Sequence, residues 1–163
     1  MYGLDQRRQK VLNFLNEITD EQARMKPDKD NWSILELLEH LYLIERTVAD
    51  RIKRAITEGE EKSVPEKPVH HTANRTLKME APESLRPKGL FQSVSEAKES
   101  LVESRESLEL ILINYEKATL KRRVMHHMAF GDLSLEQWVE FIGWHELRHL
   151  EQMKEVLQKV NRG

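Results

Sequence analysis

The sequence contains no cysteine. Disulfides, thiolate metal sites and a cysteine nucleophile are therefore excluded, and any bound metal must rest on nitrogen and oxygen donors. Glycine and proline are scarce, six and five in 163 residues, which leaves long stretches free of helix breakers. An excess of charge of either sign is also missing. The 26 basic residues nearly balance 28 acidic ones, for a formal net charge of −2. A protein that grips a phosphate backbone concentrates positive charge, so no nucleic-acid partner is expected. The short basic clusters Lys121-Arg122-Arg123 and Arg51 to Arg54 read as solvated surface. Long apolar runs are lacking as well. The opening Met1-Tyr2-Gly3-Leu4-Asp5-Gln6-Arg7-Arg8 has no hydrophobic signal core, and no segment is long enough to span a bilayer. The expectation is a cytoplasmic protein with no membrane partner.

What is present is 39% hydrophobic and 33% charged residues, the balance of helices that bury one face and solvate the other. The length suits a single domain over residues 1–163. Leu4, Val11, Leu12, Leu15 and Ile18 carry a first helical period, and Thr19-Asp20-Glu21-Gln22 reads as a fresh helix start that Pro27 stops. Ser33 and Glu36 form a capping box for a second long helix, with Trp32 and Leu37 placed for a hydrophobic staple. Ile34, Leu37, Leu38, Leu41, Ile44, Val48 and Ile52 trace its apolar arc, opposite Glu36, Glu39, Arg46, Asp50 and Lys53. Gly59 ends it.

Residues 58–92 show no sustained period and hold Pro65, Pro68, Pro82 and Pro87. So long a connection inside one domain is explained if the second and third helices run the same way, because the chain must then travel the length of the bundle. The third helix is expected over Val94 to Lys117, capped by Ser93 and Glu96. Val94, Ala97, Leu101, Leu108, Ile111, Leu112 and Tyr115 form its core face. Ser134 with Gln137, and Leu133 with Trp138, announce the fourth, which continues to about Val160. The predicted fold is all-α: a four-helix bundle with a long crossover between helices 2 and 3.

The apolar stripe of the fourth helix reads Leu135, Trp138, Ile142, His145, His149, Met153, Val156, Val160. At about 3.6 residues per turn, His145 and His149 project from consecutive turns on one side, close enough to share a metal ion. A buried imidazole pair must in any case satisfy its ring nitrogens. Two ligands rarely hold a divalent ion, so a third is needed. His70 and His71 fall in the crossover and His126 and His127 in a loop, which leaves His40, beside Leu37, Leu41 and Ile44. A set of three histidines leaves coordination positions open for water or substrate.

His145-Glu146-Leu147-Arg148-His149 also matches the H-E-x-x-H helix of zinc proteases, in which the glutamate is the general base. The usual downstream context is missing, since Gln152 and Glu155 stand where the extended motif wants Gly and His. Glu146 is therefore expected on the helix surface, with a role as base beside the metal as the alternative. No other catalytic residue is assigned. Glu45, an acid inside the apolar arc, either orients an imidazole or reaches an arginine such as Arg105.

Two stretches carry a family resemblance. Asn31-Trp32-Ser33-Ile34-Leu35-Glu36-Leu37-Leu38-Glu39-His40-Leu41 resembles a W-S-x-x-E-x-x-x-H helix entry. Phe130-Gly131-Asp132-Leu133-Ser134-Leu135-Glu136-Gln137-Trp138, followed by His145 and His149, resembles a G-x-L-[ST]-x-x-x-W lead into H-x-x-x-H. Together, and in this order, they resemble the DinB-like superfamily, which includes YfiT-like metal-dependent hydrolases and thiol-dependent S-transferases. That resemblance implies a four-helix bundle with a long crossover. It also implies zinc or nickel on His40, His145 and His149, and a homodimer. The family often has His-Pro ahead of the glycine before its last helix, where this chain has His126-His127-Met128-Ala129-Phe130.

The implied function is a metal-dependent enzyme for a small-molecule substrate: a thiol-dependent S-transferase using a low-molecular-weight thiol, or a hydrolase. The alternatives are a non-catalytic bundle that binds metal or a partner, and the zinc protease just discounted.

Overall fold

The computed structural model describes residues 1–76 and 80–162. Among these residues six α-helices follow in chain order, α1 (Leu4–Leu15), α2 (Asp20–Arg24), α3 (Ile34–Glu58), α4 (Val94–Asn114), α5 (Lys117–Lys121) and α6 (Leu135–Arg162), with two short 3-10 turns at Val69–Ala73 and Glu83–Leu85. One antiparallel hairpin, β1 (Val124–His127) with β2 (Gly131–Ser134), precedes α6. The four long helices α1, α3, α4 and α6 make the bundle.

Local signals start the helices where the capping residues lie. At α2 and α3 both halves of the box form, Thr19 with Gln22 and Ser33 with Glu36. At α4 Ser93 Oγ accepts from Glu96 N, but the Glu96 carboxylate turns to Gln92 N. At α6 Gln137 N donates to Ser134 Oγ, while the Gln137 amide exchanges two bonds with the Lys67 backbone. The expected box is thus half formed there, and its other half ties the crossover to α6. The third helix stops at Asn114 rather than Lys117, and Tyr115 is exposed instead of core.

Helix directions follow from which residues share a core. One cluster joins Leu4 of α1, Ile44 to Ile56 of α3, Leu108 and Ile111 of α4, and Leu135 to Ile142 of α6. The other joins Val11 and Leu15, Ile34 to Tyr42, Val94 to Leu101, and Leu150 to Val160. Going from the second cluster to the first, residue numbers rise along α3 and α4 and fall along α1 and α6. Helices α3 and α4 are therefore parallel, and the crossover must span the bundle. It begins beside β1, where Glu61 bridges Arg123, passes α6 at Lys67 and Val69–Ala73, and reaches the start of α3 at Leu85–Leu90. Phe91 then enters the second cluster beside Tyr42.

Between the two apolar clusters lies a buried charged layer with one contribution from each bundle helix. Arg8 of α1 and Arg105 of α4 both pair with Glu45 of α3 and Glu146 of α6. Ser104 Oγ adds a hydrogen bond to Glu45. Two acids face two guanidiniums, so the layer is neutral and its lone pairs are satisfied, the condition for tolerating charge in a core. Helix α1 approaches α6 closely at Gly143, where an added Cβ would lie 3.0 Å from Arg7 Nη1 and 3.2 Å from Leu4 Cδ2. The Arg7 guanidinium then stacks on Trp144, 3.9 Å from the ring centroid.

Candidate metal centre

His40 on α3 and His145 and His149 on α6 come together next to the charged layer, all buried, at 4%, 7% and 8% exposure. Their Nε2 atoms converge. His40 Nε2 lies 3.2 Å from His145 Nε2, and His149 Nε2 lies 3.1 Å from the same atom. The three ligand atoms all fall within 4.8 Å of one another. Imidazole nitrogens about 2.0–2.1 Å from one tetrahedral ion would lie roughly 3.3–3.4 Å apart, so small adjustments admit a divalent cation. This is the one such group among the described residues.

The far side of each ring decides which nitrogen is offered. His40 Nδ1–H donates to Leu85 O at 2.7 Å, and His149 Nδ1–H donates to Gln152 Oε1 at 2.9 Å. Both rings are thereby held with the Nε2 lone pair facing the cluster. His145 Nδ1 is buried with no hydrogen-bond partner among the described residues. Electrostatics keeps the rings neutral. Burial lowers the pKa of His40, partly offset by the Leu85 carbonyl. It lowers His145 well below the usual range, and the neighbouring His149 and His40, which would repel a second imidazolium, add to the effect. His149 falls to about 3, from burial and then from His40. Neutral imidazoles with aimed lone pairs are the donor set that zinc, nickel, iron or copper takes. The residues present fit such an ion.

The other candidates of the sequence fall elsewhere. His70 and His71 are exposed in the crossover. His126 and His127 lie on β1, not in a loop. His127 is buried among Phe130, Trp138 and Phe141, and its Nδ1 accepts the N–H groups of Ala129 and Phe130, so its proton resides on Nε2. Burial, then His126, lowers its pKa to about 4. The Phe141 ring stands between it and His145, at centroid distances of 4.5 and 5.5 Å.

Glu146 is neither a surface residue nor free to act as a base. Its two oxygens are taken by Arg8 Nε and Arg105 Nη2. The same pairing removes the H-E-x-x-H protease reading, because the carboxylate that would take a proton from water is committed to two guanidiniums. Of the two roles open to Glu45, the structure selects the arginines: Arg105 Nε at 2.8 Å and Arg8 Nη2 at 3.2 Å. Arg8 carries no local signal of burial in the sequence, since an arginine among Asp5, Arg7 and Lys10 has the pattern of a solvated face. Glu39 was expected on the outer face of its helix but is buried at 3% exposure, where its carboxylate accepts from Lys88 N and Leu90 N.

Comparison with known proteins agrees with this architecture. The family model of the DinB superfamily matches residues 3–153. The uncharacterised protein YuaE of Bacillus subtilis (strain 168) is 36% identical over 155 residues, covering 95% of each chain. Among solved structures, the four-helix bundle protein TT2238 aligns with a TM-score of 0.63 at 18% identity, over 93% of each chain. YfiT from Bacillus subtilis, described as a probable metal-dependent hydrolase with an unusual four-helix bundle topology, aligns with a TM-score of 0.65 at 19% identity, over 97% of this chain and 83% of its own. The two structural likenesses speak for the fold. Among the described residues no helix is long and apolar enough to cross a membrane.

Proposed function

We propose, from the premise that the chain belongs to the DinB superfamily, that it is a metal-dependent enzyme acting on a small molecule, with His40, His145 and His149 holding zinc or nickel. The observation that carries this reading is the convergence of the three Nε2 atoms of neutral rings, with neighbours at 3.1 and 3.2 Å, beside a charged layer whose two acids and two arginines already pair with one another. An ion held there would supply Lewis acidity, lowering the pKa of a thiol or water towards neutrality.

The protein's own contribution is binding and orientation. Leu85 O and Gln152 Oε1 each keep one ring turned so that Nε2 is the donor. Glu45 of α3 and Glu146 of α6 share the same two arginines, so the charged layer ties together the two helices that carry the histidines. Three protein donors leave further coordination positions for substrate. The absence of cysteine means that a sulfur nucleophile, if one is used, comes from a cosubstrate. We take the reaction to be attack of a low-molecular-weight thiol on an electrophilic carbon, forming a C–S bond as the bond to the leaving group breaks and the thiol proton passes to solvent, or hydrolysis at the same centre. YfiT's description as a probable metal-dependent hydrolase favours the second form.

The test is direct. Zinc- or nickel-loaded protein is incubated with an electrophile and a panel of thiols, and with activated esters and amides in parallel, and products are followed by mass spectrometry. Metal-dependent product that disappears in His145→Ala supports the reading. Full metal occupancy without turnover across both panels favours the non-catalytic bundle.

A further inference from the structure

We infer that Glu39, which touches no metal ligand atom, is a positioning residue for His40, acting through the docked end of the crossover; this rests on the metal reading above. Glu39 and His40 are adjacent on α3, and both reach the same short stretch of chain. Glu39 accepts from Lys88 N at 2.6 Å and Leu90 N at 2.9 Å, and His40 Nδ1–H donates to Leu85 O at 2.7 Å. Glu39 and His40 are themselves buried, at 3% and 4% exposure, while Leu85 is half-buried and Lys88, Gly89 and Leu90 lie at the surface. Only Arg86 and Pro87 separate Leu85 from Lys88, and the proline ring fixes its own φ. Holding Lys88 in place therefore holds Leu85 O in place.

The anchor has a built geometry. The two amides that Glu39 receives flank Gly89, which sits at φ +83°. Around that left-handed residue both N–H groups turn to the same side and make a small anion-binding nest. The Glu39 carboxylate fills it. Without this clamp, the Leu85 carbonyl is free to leave the His40 ring. His40 can then place its proton on either nitrogen and rotate about its side chain, and Nε2 is no longer the committed donor.

Coupling of this kind is reciprocal. If docking of residues 85–90 favours metal binding, metal binding must favour docking by the same factor. Two independent readouts follow. Affinity for zinc, measured by competition with a chromophoric chelator, should fall roughly ten- to a hundredfold in Glu39→Ala, the usual effect of losing a partner that orients a ligand. Glu39→Gln, which keeps one acceptor oxygen, should recover part of that loss. Gly89→Ala should weaken zinc binding in the same direction. Its new Cβ meets no atom within 4 Å, so the effect there is on the left-handed backbone alone. In the unaltered protein, hydrogen exchange at the Lys88 and Leu90 amides should slow on adding zinc, a result that needs no variant to fold.

Zinc binding equally tight in the unaltered chain and in folded Glu39→Ala, or zinc-independent exchange at both amides in a chain that binds zinc, overturns the inference and leaves the metal reading standing. No zinc or nickel binding by the unaltered chain overturns both.

Discussion

His40 Nε2 and His145 Nε2 face each other at 3.2 Å, joined by neither backbone proximity nor opposite charge, across 105 residues of sequence. Both rings are held neutral by burial. Two imidazole lone pairs at that distance repel unless a proton or a cation lies between them. The far-side bonds decide which histidine supplies the proton. His40 and His149 commit theirs to Leu85 O and Gln152 Oε1, whereas His145 Nδ1 has no partner among the described residues. In the ion-free protein, His145 therefore carries its proton on Nε2, between its two neighbours.

A tautomer prediction follows. Long-range nitrogen–proton spectra of histidine-labelled, ion-free protein should show His40 and His149 protonated at Nδ1 and His145 at Nε2. Adding zinc should move the His145 proton to Nδ1 and leave the other two unchanged. A His40 or His149 proton on Nε2 in the zinc-bound protein would contradict the assigned donor atoms.

Glu146→Gln separates structure from catalysis. Breaking one partner out of a buried charged layer leaves Arg8 and Arg105 with a single carboxylate, at a cost of about 3–5 kcal/mol in stability. Chemical denaturation should show that loss, while the zinc affinity of the folded variant stays near that of the unaltered protein. Unchanged stability with abolished turnover would instead restore Glu146 as a base.

The pH dependence has a definite sign. His127 and His149 titrate at about 4 and about 3 in the folded chain, against the usual 6.5 when exposed. Between those values the unfolded chain binds protons that the folded chain refuses. Stability of the ion-free protein is thus fully present above about pH 6.5 and falls as pH drops through the window, by up to about 1.4 kcal/mol per pH unit for each such histidine. Denaturation midpoints at neutral and mildly acidic pH check this. A midpoint that holds or rises on acidification would mean that the two rings are not buried neutral.

The parts of this molecule that could be read from its sequence are those written in local pattern. Ser33 with Glu36 marks the start of α3, and the i, i+4 spacing of His145 and His149 places both rings on one face of α6. Proline-rich residues 58–92, with no period, announced a crossover, and the shared clusters bear out parallel α3 and α4. What escaped was most of the long-range pairing of buried charge. Glu45, an acid inside an apolar arc, does point to a partner such as Arg105, but Glu39, Glu146 and Arg8 carry no local sign of burial, which depends on partners 37 to 138 residues away. A polar residue on a helical wheel is assigned to solvent by default, and nothing local signals a buried partner. The hairpin escaped for a different reason, since strands of four residues are too short for alternation to register.

Metal content tests the central claim most directly. Purified protein is titrated with zinc and with nickel at neutral pH, and bound metal is counted beside His40→Ala, His145→Ala and His149→Ala, each checked for folding by circular dichroism. The account predicts one ion per unaltered chain and loss of that ion in every variant. An unaltered chain that binds neither metal, or three folded variants that bind as the unaltered chain does, would contradict it.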